Sequence, residues 1–393
     1  MRPIPPPASP SPLPPPDAAA SAHSARVVEA VRARIDAAGG WIAFADYMQL
    51  ALYAPGLGYY VAGARKFGAD GDFVTAPEIT PLFAQALAVQ VRAILEATQG
   101  RELVEFGAGS GALAADLLNA LAAADALPTI YRILEVSPDL RERQRETIAR
   151  RAAEHLARVA WIVRLPPRIE GVALMNEVLD AIPPHVIVRR DGAWFERGVT
   201  WRGALALDDR PLSEGALHAR AAQRFPVEGD YASEINPAAE ALAAAIGARI
   251  AGGALLVLDY GFPQAEYYTP QRREGTVMAH YRHRALADPL VWPGLADLTA
   301  HVDFTAIALA GESGGLTVAG YAPQAAFLVN CGILDRLRDV GEPTTLAYLR
   351  EAAAVQKLLS PAEMGELFKV LALMKSDSIT WPGFAAGDRT HRL

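Results

Sequence analysis

Apolar residues recur with two different periods along the chain, and the change between them predicts how the chain is divided. Between residues 26 and 100 they follow helical spacing, as at Val27, Val31 and Ile35, with breaks at glycine pairs and prolines. From residue 102 onward, short and nearly continuous apolar runs alternate with helical patterns. Such runs are typical of buried parallel strands joined by crossover helices. The pattern therefore predicts an α/β fold with a doubly wound, mostly parallel sheet.

The runs that predict strands are short and bounded by turn-forming or acidic residues. They lie at 102–107, 131–137, 171–178, 254–261, 305–311 and 316–323. Helical patterns lie between most of them, at 111–125, 138–157 and 236–253. Only the residues 312–315 separate the last two predicted strands, which is short enough for a hairpin. An antiparallel pair is therefore expected at the edge of the sheet.

Two insertions interrupt this alternation. Residues 183–210 alternate apolar and polar positions around a turn signal at Asp191 and Gly192, which predicts a β-hairpin. Residues 262–300 form a long loop rich in Tyr, His and Arg, as expected for a lid or a substrate wall.

The predicted organisation has four parts. They are a disordered proline-rich tail at 1–25, an N-terminal helical segment at 26–100, a ligand-binding core at 101–330 with the two insertions, and a C-terminal helical cap at 331–393.

Composition and charge narrow the classes of function. The 393 residues are 51% hydrophobic with a net charge of −7, so they can build a large core, and the overall charge gives no general reason to bind nucleic acid. A local basic patch is left open. No apolar run reaches the roughly 18 residues of a membrane span. The single cysteine, Cys331, forms neither an internal disulfide nor a zinc site alone, which favours a reducing compartment. The proline-rich tail fits neither a secretory signal nor a mitochondrial presequence, so a bacterial cytoplasm is the expected location, with the mitochondrial matrix for a eukaryotic chain.

The most informative stretch is a glycine loop between a predicted strand and a predicted helix. It contains Gly107, Gly109 and Gly111. A strand that turns through glycines into a helix presents free backbone N–H groups to a ligand. With Ala112 in the last position the loop also satisfies the dinucleotide pattern G-x-G-x-x-G/A. An NAD(P)-dependent dehydrogenase is therefore one interpretation.

Two acidic residues favour a different ligand. Glu105 lies at the end of the first strand and would repel a pyrophosphate by about 4 kcal/mol per pair of charges at ~4 Å and an effective dielectric constant of about 20. Glu135 follows the second strand, where a carboxylate can accept both hydroxyls of a ribose. S-adenosyl-L-methionine carries an ammonium and a sulfonium together with a ribose. The pair of acids therefore predicts this cofactor.

Further motifs point to one family. The segments 104–111 and 133–137 are accompanied, in order, by YMQLALYAPGLGYY, GDFVTAPEITPLFAQAL, MNEVLDAIPPHVI, LVLDYG and ADLTAHVDF. Together they resemble the MidA family of S-adenosylmethionine-dependent protein arginine methyltransferases, whose mitochondrial members assist the assembly of respiratory complex I. The resemblance covers about residues 41–375. One departure is Ala76, since the family often has Ser between the Thr and Pro of this motif.

The resemblance implies a class I methyltransferase with a Rossmann-like sheet, S-adenosyl-L-methionine as cofactor and a protein substrate, such as a subunit of complex I. Neither a metal nor a nucleophilic cysteine is expected, because methyl transfer from a sulfonium needs mainly alignment and exclusion of water. A homodimer is left open. The alternatives to this enzyme are the dehydrogenase and a non-catalytic assembly chaperone built on a methyltransferase fold.

The candidate site residues fall into three groups. The cofactor group is Glu105, Gly107, Gly109, Gly111, Glu135 and Asn176. The catalytic group is Asn176, Glu177 and Asp180, because carboxylates just past a parallel strand can hold the planar guanidinium of an arginine. The substrate-binding group is Asp72, Glu78, Asp259, Tyr260, Asp297 and His301.

Several of these residues have structural alternatives. Asp180 could cap a helix, Glu78 could interact with a helix dipole, and Asp72 could form an Asx turn. Asp259 and Tyr260 could simply end a strand. For Asp297 and His301 the alternatives are a helix cap and a hydrogen-bonded core histidine.

Overall fold

A computed structural model describes residues 15–62, 75–99, 101–226, 228–282, 284–375 and 378–393. Asp72 and the first 14 residues of the predicted tail lie outside these ranges. Among the described residues, no helix combines the length and the apolar character that crossing a bilayer requires.

The N-terminal segment is helical. It contains α1 (Ala18–Ala37), the short strand β1 (Ile42–Ala43), α2 (Phe44–Tyr53), α3 (Ala76–Ile79) and α4 (Pro81–Thr98). Helix α1 begins where the Asp17 carboxylate accepts the backbone N–H of Ala20 at 2.8 Å, which is a typical N-cap. The predicted tail at 1–25 is therefore too long, because its last residues form the first turns of α1.

The first half of the core alternates strands and helices. It contains β2 (Glu102–Phe106), α5 (Ala112–Ala123), β3 (Ile130–Leu134), α6 (Pro138–Arg151), β4 (Val159–Ile162) and β5 (Ile169–Asn176). Strand β2 pairs in parallel with β3 on one side and β5 on the other, and β3 pairs in parallel with β4. A 3-10 helix at Ala153–Arg158 separates α6 from β4. The long helix predicted at 138–157 is thus shorter, and β4 was not predicted.

The first insertion is larger than the predicted hairpin. It contains β6 (His185–Arg190), β7 (Ala193–Trp201), β8 (Leu205–Pro211), α7 (Ala216–Arg224) and β9 (Tyr231–Ile235). The predicted turn at Asp191 and Gly192 joins β6 to β7, and both residues have positive φ angles. Strand β1 pairs with β7, so the N-terminal segment and the insertion share one antiparallel sheet.

The second half of the core completes the sheet. It contains α8 (Pro237–Gly247), β10 (Ile250–Phe262), β14 (Val302–Asp303), α10 (Phe304–Ser313) and β15 (Thr317–Pro323). The second insertion, between β10 and β14, contains α9 (Gln264–Tyr267), a 3-10 helix at Pro270–Arg272, and a small sheet of β11 (Met278–Tyr281), β12 (Arg284–Leu286) and β13 (Asp297–Thr299). The final segment contains α11 (Gln324–Asn330), α12 (Ile333–Asp339), α13 (Leu346–Leu359), β16 (Phe368–Met374) and 3-10 helices at Pro382–Phe384 and Thr390–Arg392.

The central sheet has the strand order β15-β16-β10-β5-β2-β3-β4, with β14 beside the end of β10. Strands β2, β3, β4, β5 and β10 are parallel, whereas β16 is antiparallel to both β10 and β15. One face packs on α4 and α5 and the other on α8 and α10. This is the predicted α/β, Rossmann-like doubly wound architecture.

The antiparallel edge exists, but its predicted composition is wrong. The run at 305–311 belongs to α10, which begins where Asp303 accepts the N–H of Ala306 at 3.1 Å. Strand β15 pairs instead with β16, which comes from the predicted helical cap. A short apolar run does not distinguish a buried strand from a buried helix, which explains the error.

Candidate active site

A cavity of about 790 Å³ opens at the carboxyl ends of β2, β3, β5 and β10. Ligands bind at this edge of open α/β sheets because the loops there change direction and leave a crevice. One end of the cavity is formed by the glycine loop and the residues after β3. The other end is formed by the residues after β5, by Tyr53 and Tyr60 of the N-terminal segment, and by the small sheet of the second insertion.

The glycine loop adopts a conformation that side chains would prevent. Gly107, Gly109 and Gly111 have φ angles of 61°, 52° and 84°, a region that favours glycine. A Cβ atom on Gly111 would lie 2.9 Å from the Cα of Gln144, so the loop is also closely packed against α6. Helix α5 begins directly after Gly111, and its first residues, Ala112 and Leu113, line the cavity.

Glu135 lies beside the glycine loop, at the end of β3. One carboxylate oxygen accepts the N–H of Ser137 at 2.8 Å and the other accepts the side-chain amide of Gln144 at 3.1 Å. Burial raises the pKa of Glu135, and these hydrogen bonds oppose the rise. Val136 and Val163 line the cavity nearby and are 58% and 51% exposed, unusual values for valine. A carboxylate with unused lone pairs therefore lies next to exposed apolar surfaces in the cavity wall.

Glu105 also lines the cavity, although its environment differs from the one expected. It is buried, it accepts a hydrogen bond from the Tyr131 hydroxyl at 2.8 Å, and burial raises its pKa to about 7. A carboxyl with this pKa is only partly ionised near neutral pH. Glu105 would therefore repel a phosphate less strongly than a fully ionised carboxylate would.

The residues just after β5 form a sharp turn, and the backbone of its first residue, Glu177, is strained. Glu177 has a φ angle of 53°, which is unfavourable for any residue with a Cβ atom. The next backbone N–H groups, of Val178, Leu179 and Asp180, lie 3.2, 2.9 and 3.4 Å from one oxygen of Asp259, which accepts all of them. The buried Asp259 thus holds the turn and is absent from the cavity lining. This supports a positioning role instead of the expected contact with substrate.

Carboxyl groups gather at this end of the cavity. Glu177, Asp180 and Asp297 all line it. Burial and the neighbouring Asp180 raise the pKa of Glu177 to about 8, and burial raises the pKa of Asp180 to about 6. The Oδ1 atom of Asp180 is buried and has no hydrogen-bond partner among the described residues. The cluster therefore has unused capacity to accept hydrogen bonds and would be stabilised by a cation.

Tyrosines complete the walls around these carboxyls. Tyr53 donates a hydrogen bond to the carbonyl of Ala181 at 2.9 Å, and Tyr60 donates one to Asp297 at 2.8 Å. The two rings are stacked with centroids 5.5 Å apart. Tyr260 lines the same end of the cavity, and its hydroxyl opposes the rise that burial causes in the pKa of Asp180. Flat aromatic surfaces beside carboxylates fit a planar cation.

The other predicted residues lie in the cavity wall in different roles. Asn176 donates to Glu177 at 3.3 Å, between the two ends of the cavity. Glu78 accepts a hydrogen bond from Ser110, so it supports the glycine loop. His301 contacts the Tyr260 ring edge-on at 5.2 Å, and burial together with nearby Arg272 lowers its pKa to about 4, so the imidazole is neutral.

Gln144, Tyr53 and Tyr60 were not predicted as site residues. Gln144 lies in a predicted helix and the two tyrosines lie in a motif of the family resemblance. Nothing local in the sequence shows that these residues contact a glycine loop or a carboxyl cluster far away along the chain. Only the YAPGLGYY motif offered a signal for the tyrosines.

Comparisons with known proteins agree with this geometry. Residues 82–322 match a family model described as an S-adenosyl-L-methionine-dependent methyltransferase. The mouse mitochondrial protein arginine methyltransferase NDUFAF7 is 31% identical over 374 residues, covering 85% of this chain and 81% of the relative. Its zebrafish counterpart is 29% identical, with coverage of 86% and 85%.

Solved structures give a similar result. A COG1565 superfamily member from Burkholderia thailandensis, bound to S-adenosyl-homocysteine, is 48% identical and superposes with a TM-score of 0.93, covering 97% of this chain and 100% of that one. A native crystal structure of a COG1565 superfamily protein from the same organism is 47% identical, with a TM-score of 0.90.

Proposed function

Because the chain belongs to a family of S-adenosyl-L-methionine-dependent methyltransferases, we propose that it methylates an arginine side chain of a protein partner. The cofactor is S-adenosyl-L-methionine, which removes the dehydrogenase interpretation. The arginine is proposed because the curated relatives are named protein arginine methyltransferases and because the carboxyl cluster fits a guanidinium. By the MidA resemblance, the partner is a subunit of respiratory complex I or its equivalent.

The cofactor end of the cavity fits the proposed binding of S-adenosyl-L-methionine. Glu135 would accept the ribose hydroxyls, and Val136 and Val163 would contact the adenine. The glycine loop would contact the amino acid portion, and Glu105 would attract its ammonium. The cofactor supplies an electrophilic methyl group on a sulfonium, and the protein residues align the acceptor and exclude water.

The observation that carries the proposal is the buried, unpartnered oxygen of Asp180 next to Glu177 and Asp297. A guanidinium offers five N–H donors in one plane and keeps its charge, so it can satisfy several carboxylates at once. Glu177 and Asp180 would hold the fork and orient one nitrogen toward Asn176 and the methyl group. That nitrogen would form the new N–C bond as the S–CH3 bond breaks and its electron pair stays on sulfur, which leaves S-adenosyl-homocysteine. The nitrogen would also lose one proton, for which Glu177 is the proposed acceptor.

The test is methyl transfer to proteins extracted from cells that lack this chain. The purified enzyme is incubated with the extract and methyl-labelled S-adenosyl-L-methionine, and the labelled amino acids are identified after acid hydrolysis. We expect labelled methylarginine, with a loss of about 100-fold or more in the Asp180→Asn variant, because one hydrogen bond to a buried charged group contributes about 1.5–3 kcal/mol and the orientation of the acceptor is also lost.

Calorimetric binding of S-adenosyl-homocysteine is the control, and Asp180→Asn should leave it within about twofold. Label on another amino acid would refute arginine as the acceptor. Binding of the cofactor with no transfer to any protein would instead support the non-catalytic chaperone.

A further inference from the structure

Gln144 of α6 is fully buried beside the cofactor end of the cavity without lining it. Its side-chain amide donates to the carbonyl of Gly109 and to Glu135 Oε2, both at 3.1 Å, and its carbonyl accepts the indole N–H of Trp161 at 2.9 Å. We propose that Gln144, oriented by Trp161, is a positioning residue that holds Glu135 and the glycine loop in place for the ribose of the cofactor.

The indole fixes the orientation of the amide. A tryptophan N–H is only a donor, so the Gln144 atom that faces Trp161 must be the oxygen. The amide nitrogen then faces Gly109 and Glu135, whose oxygens are only acceptors. All three contacts are satisfied in this one orientation and would fail in the flipped one. Trp161 thereby selects the state in which Gln144 binds Glu135.

The hydrogen bonds to Glu135 restrict its position but leave it able to bind a ligand. The Ser137 N–H holds one carboxylate oxygen and Gln144 holds the other, so the plane of the carboxylate is defined. Each carboxylate oxygen has two lone pairs, and ribose hydroxyls can use those that remain. Because Gln144 is uncharged, it orients Glu135 without forming an ion pair that would weaken its acceptor strength.

Gln144 also links two parts of the cofactor site. Its Cα atom lies only 2.9 Å from the position that a Cβ atom on Gly111 would take, and its side-chain amide binds the carbonyl of Gly109. The backbone of Gln144 thus packs against the loop, and its side chain sets the spacing between Gly109 and Glu135. A ligand that contacts both the loop and Glu135 would lose affinity if this spacing were free to vary.

The experiment measures calorimetric binding of two ligands, S-adenosyl-homocysteine and its analogue that lacks both ribose hydroxyls. Gln144→Leu should weaken S-adenosyl-homocysteine by about tenfold, as expected for loss of a hydrogen bond to a charged group. The analogue should change by less than about twofold. In a Glu135→Gln background, Gln144→Leu should have little further effect on S-adenosyl-homocysteine, because Gln144 acts through Glu135. The proposal would be overturned if Gln144→Leu weakened the binding of both ligands equally. It would also be overturned if Gln144→Leu weakened S-adenosyl-homocysteine binding about tenfold in the Glu135→Gln background as well.

Gln90 provides the matched control. It is also fully buried, and its side chain bonds the Thr380 carbonyl and the Gly383 N–H, both at 3.1 Å, outside the cavity lining. Gln90→Leu should lower the melting temperature about as much as Gln144→Leu does, without changing the ratio of the two affinities. A change in that ratio would show that the readout reports general destabilisation and would overturn the proposal.

Trp161→Phe tests the orientation without changing Gln144. It removes the N–H and keeps a ring beside Arg145, which lies 4.5 Å above the indole centroid. The affinity for S-adenosyl-homocysteine should fall by a few-fold in the wild-type background and not at all in Gln144→Leu. An identical fall in both backgrounds would contradict the role of Trp161. All readouts here are binding constants, so their outcome is independent of the proposed arginine substrate.

Discussion

Replacing Glu177 by Gln should stabilise the empty protein at alkaline pH while impairing the proposed reaction. Glu177 combines a positive φ angle with a carboxyl group that burial and Asp180 make difficult to ionise. Glutamine keeps a side-chain oxygen for the N–H of Ala76, which lies 3.3 Å from Glu177 Oε1. The substitution therefore removes mainly the cost of a buried negative charge.

The magnitude follows from the pKa. Glu177 has a pKa of about 8 in the folded protein, compared with 4.5 for an ordinary glutamate. Because the folded protein binds this proton more tightly than the unfolded chain does, the contribution of Glu177 to the free energy of unfolding is fully present below pH 4.5. This contribution is lost as the pH rises through 8. The shift corresponds to an upper bound of about 5 kcal/mol. Since the side chain borders a solvent-accessible cavity, we expect roughly 2 kcal/mol after allowance for solvent screening.

Thermal unfolding of ligand-free protein between pH 5 and pH 9 gives the comparison. The midpoints of wild type and Glu177→Gln should coincide at about pH 5, and the variant should unfold about 3 °C or more higher at about pH 9. Glu312→Gln is the control, because Glu312 is exposed on α10. The same exchange there should leave the unfolding midpoint unchanged at both pH 5 and pH 9. A variant that is less stable than wild type at pH 9, or a difference that is independent of pH, would refute the reasoning.

Three further predictions concern the same site. Gly111→Val should abolish calorimetric binding of S-adenosyl-homocysteine, because its Cβ atom would lie 2.9 Å from the Cα of Gln144; near-wild-type affinity would contradict this packing. The value of kcat/KM for the acceptor should rise with pH through about 6 and 8, because Asp180 and Glu177 must be ionised to bind a guanidinium, and a flat profile would exclude them. Asp259→Asn should lower the free energy of unfolding in urea by about 1–3 kcal/mol, because both Asp259 oxygens accept backbone N–H groups and asparagine replaces one of them with an N–H donor. The variant should still bind S-adenosyl-homocysteine. Unchanged stability would count against the role of Asp259 in holding the turn after β5.

Local patterns predicted the parts of the fold in which periodicity and burial coincide. Strand β2 and most of β5 are buried on both faces and are mainly apolar, and the glycine loop follows β2 as expected. Strand β16 was read as part of a helical cap, because its place in the sheet depends on pairing with β10, more than a hundred residues earlier. Strand β4 was missed because its residues are only half-buried and follow a long helical pattern.

The site was predicted to a similar extent. Residues at strand ends, such as Glu135 and Glu177, could be placed because parallel strands end at one edge of the sheet. Asp259 and Tyr260 were assigned together, yet successive side chains of a strand point to opposite faces, and only Tyr260 lines the cavity. Tyr60 and Gln144 required knowledge of contacts between distant segments, which periodicity does not contain.

The position of β16 has a consequence for synthesis of the chain. Because β16 lies between β10 and β15, the hydrogen-bonding edge of β10 has no permanent neighbour until residue 368 has left the ribosome. At about 5–20 residues per second, that delay after translation of β10 is on the order of ten seconds. During this time an apolar strand edge is open to pairing with other nascent chains. We therefore expect the newly made protein to depend on chaperones during translation, and a ribosome-bound fragment ending before β16 to aggregate when released.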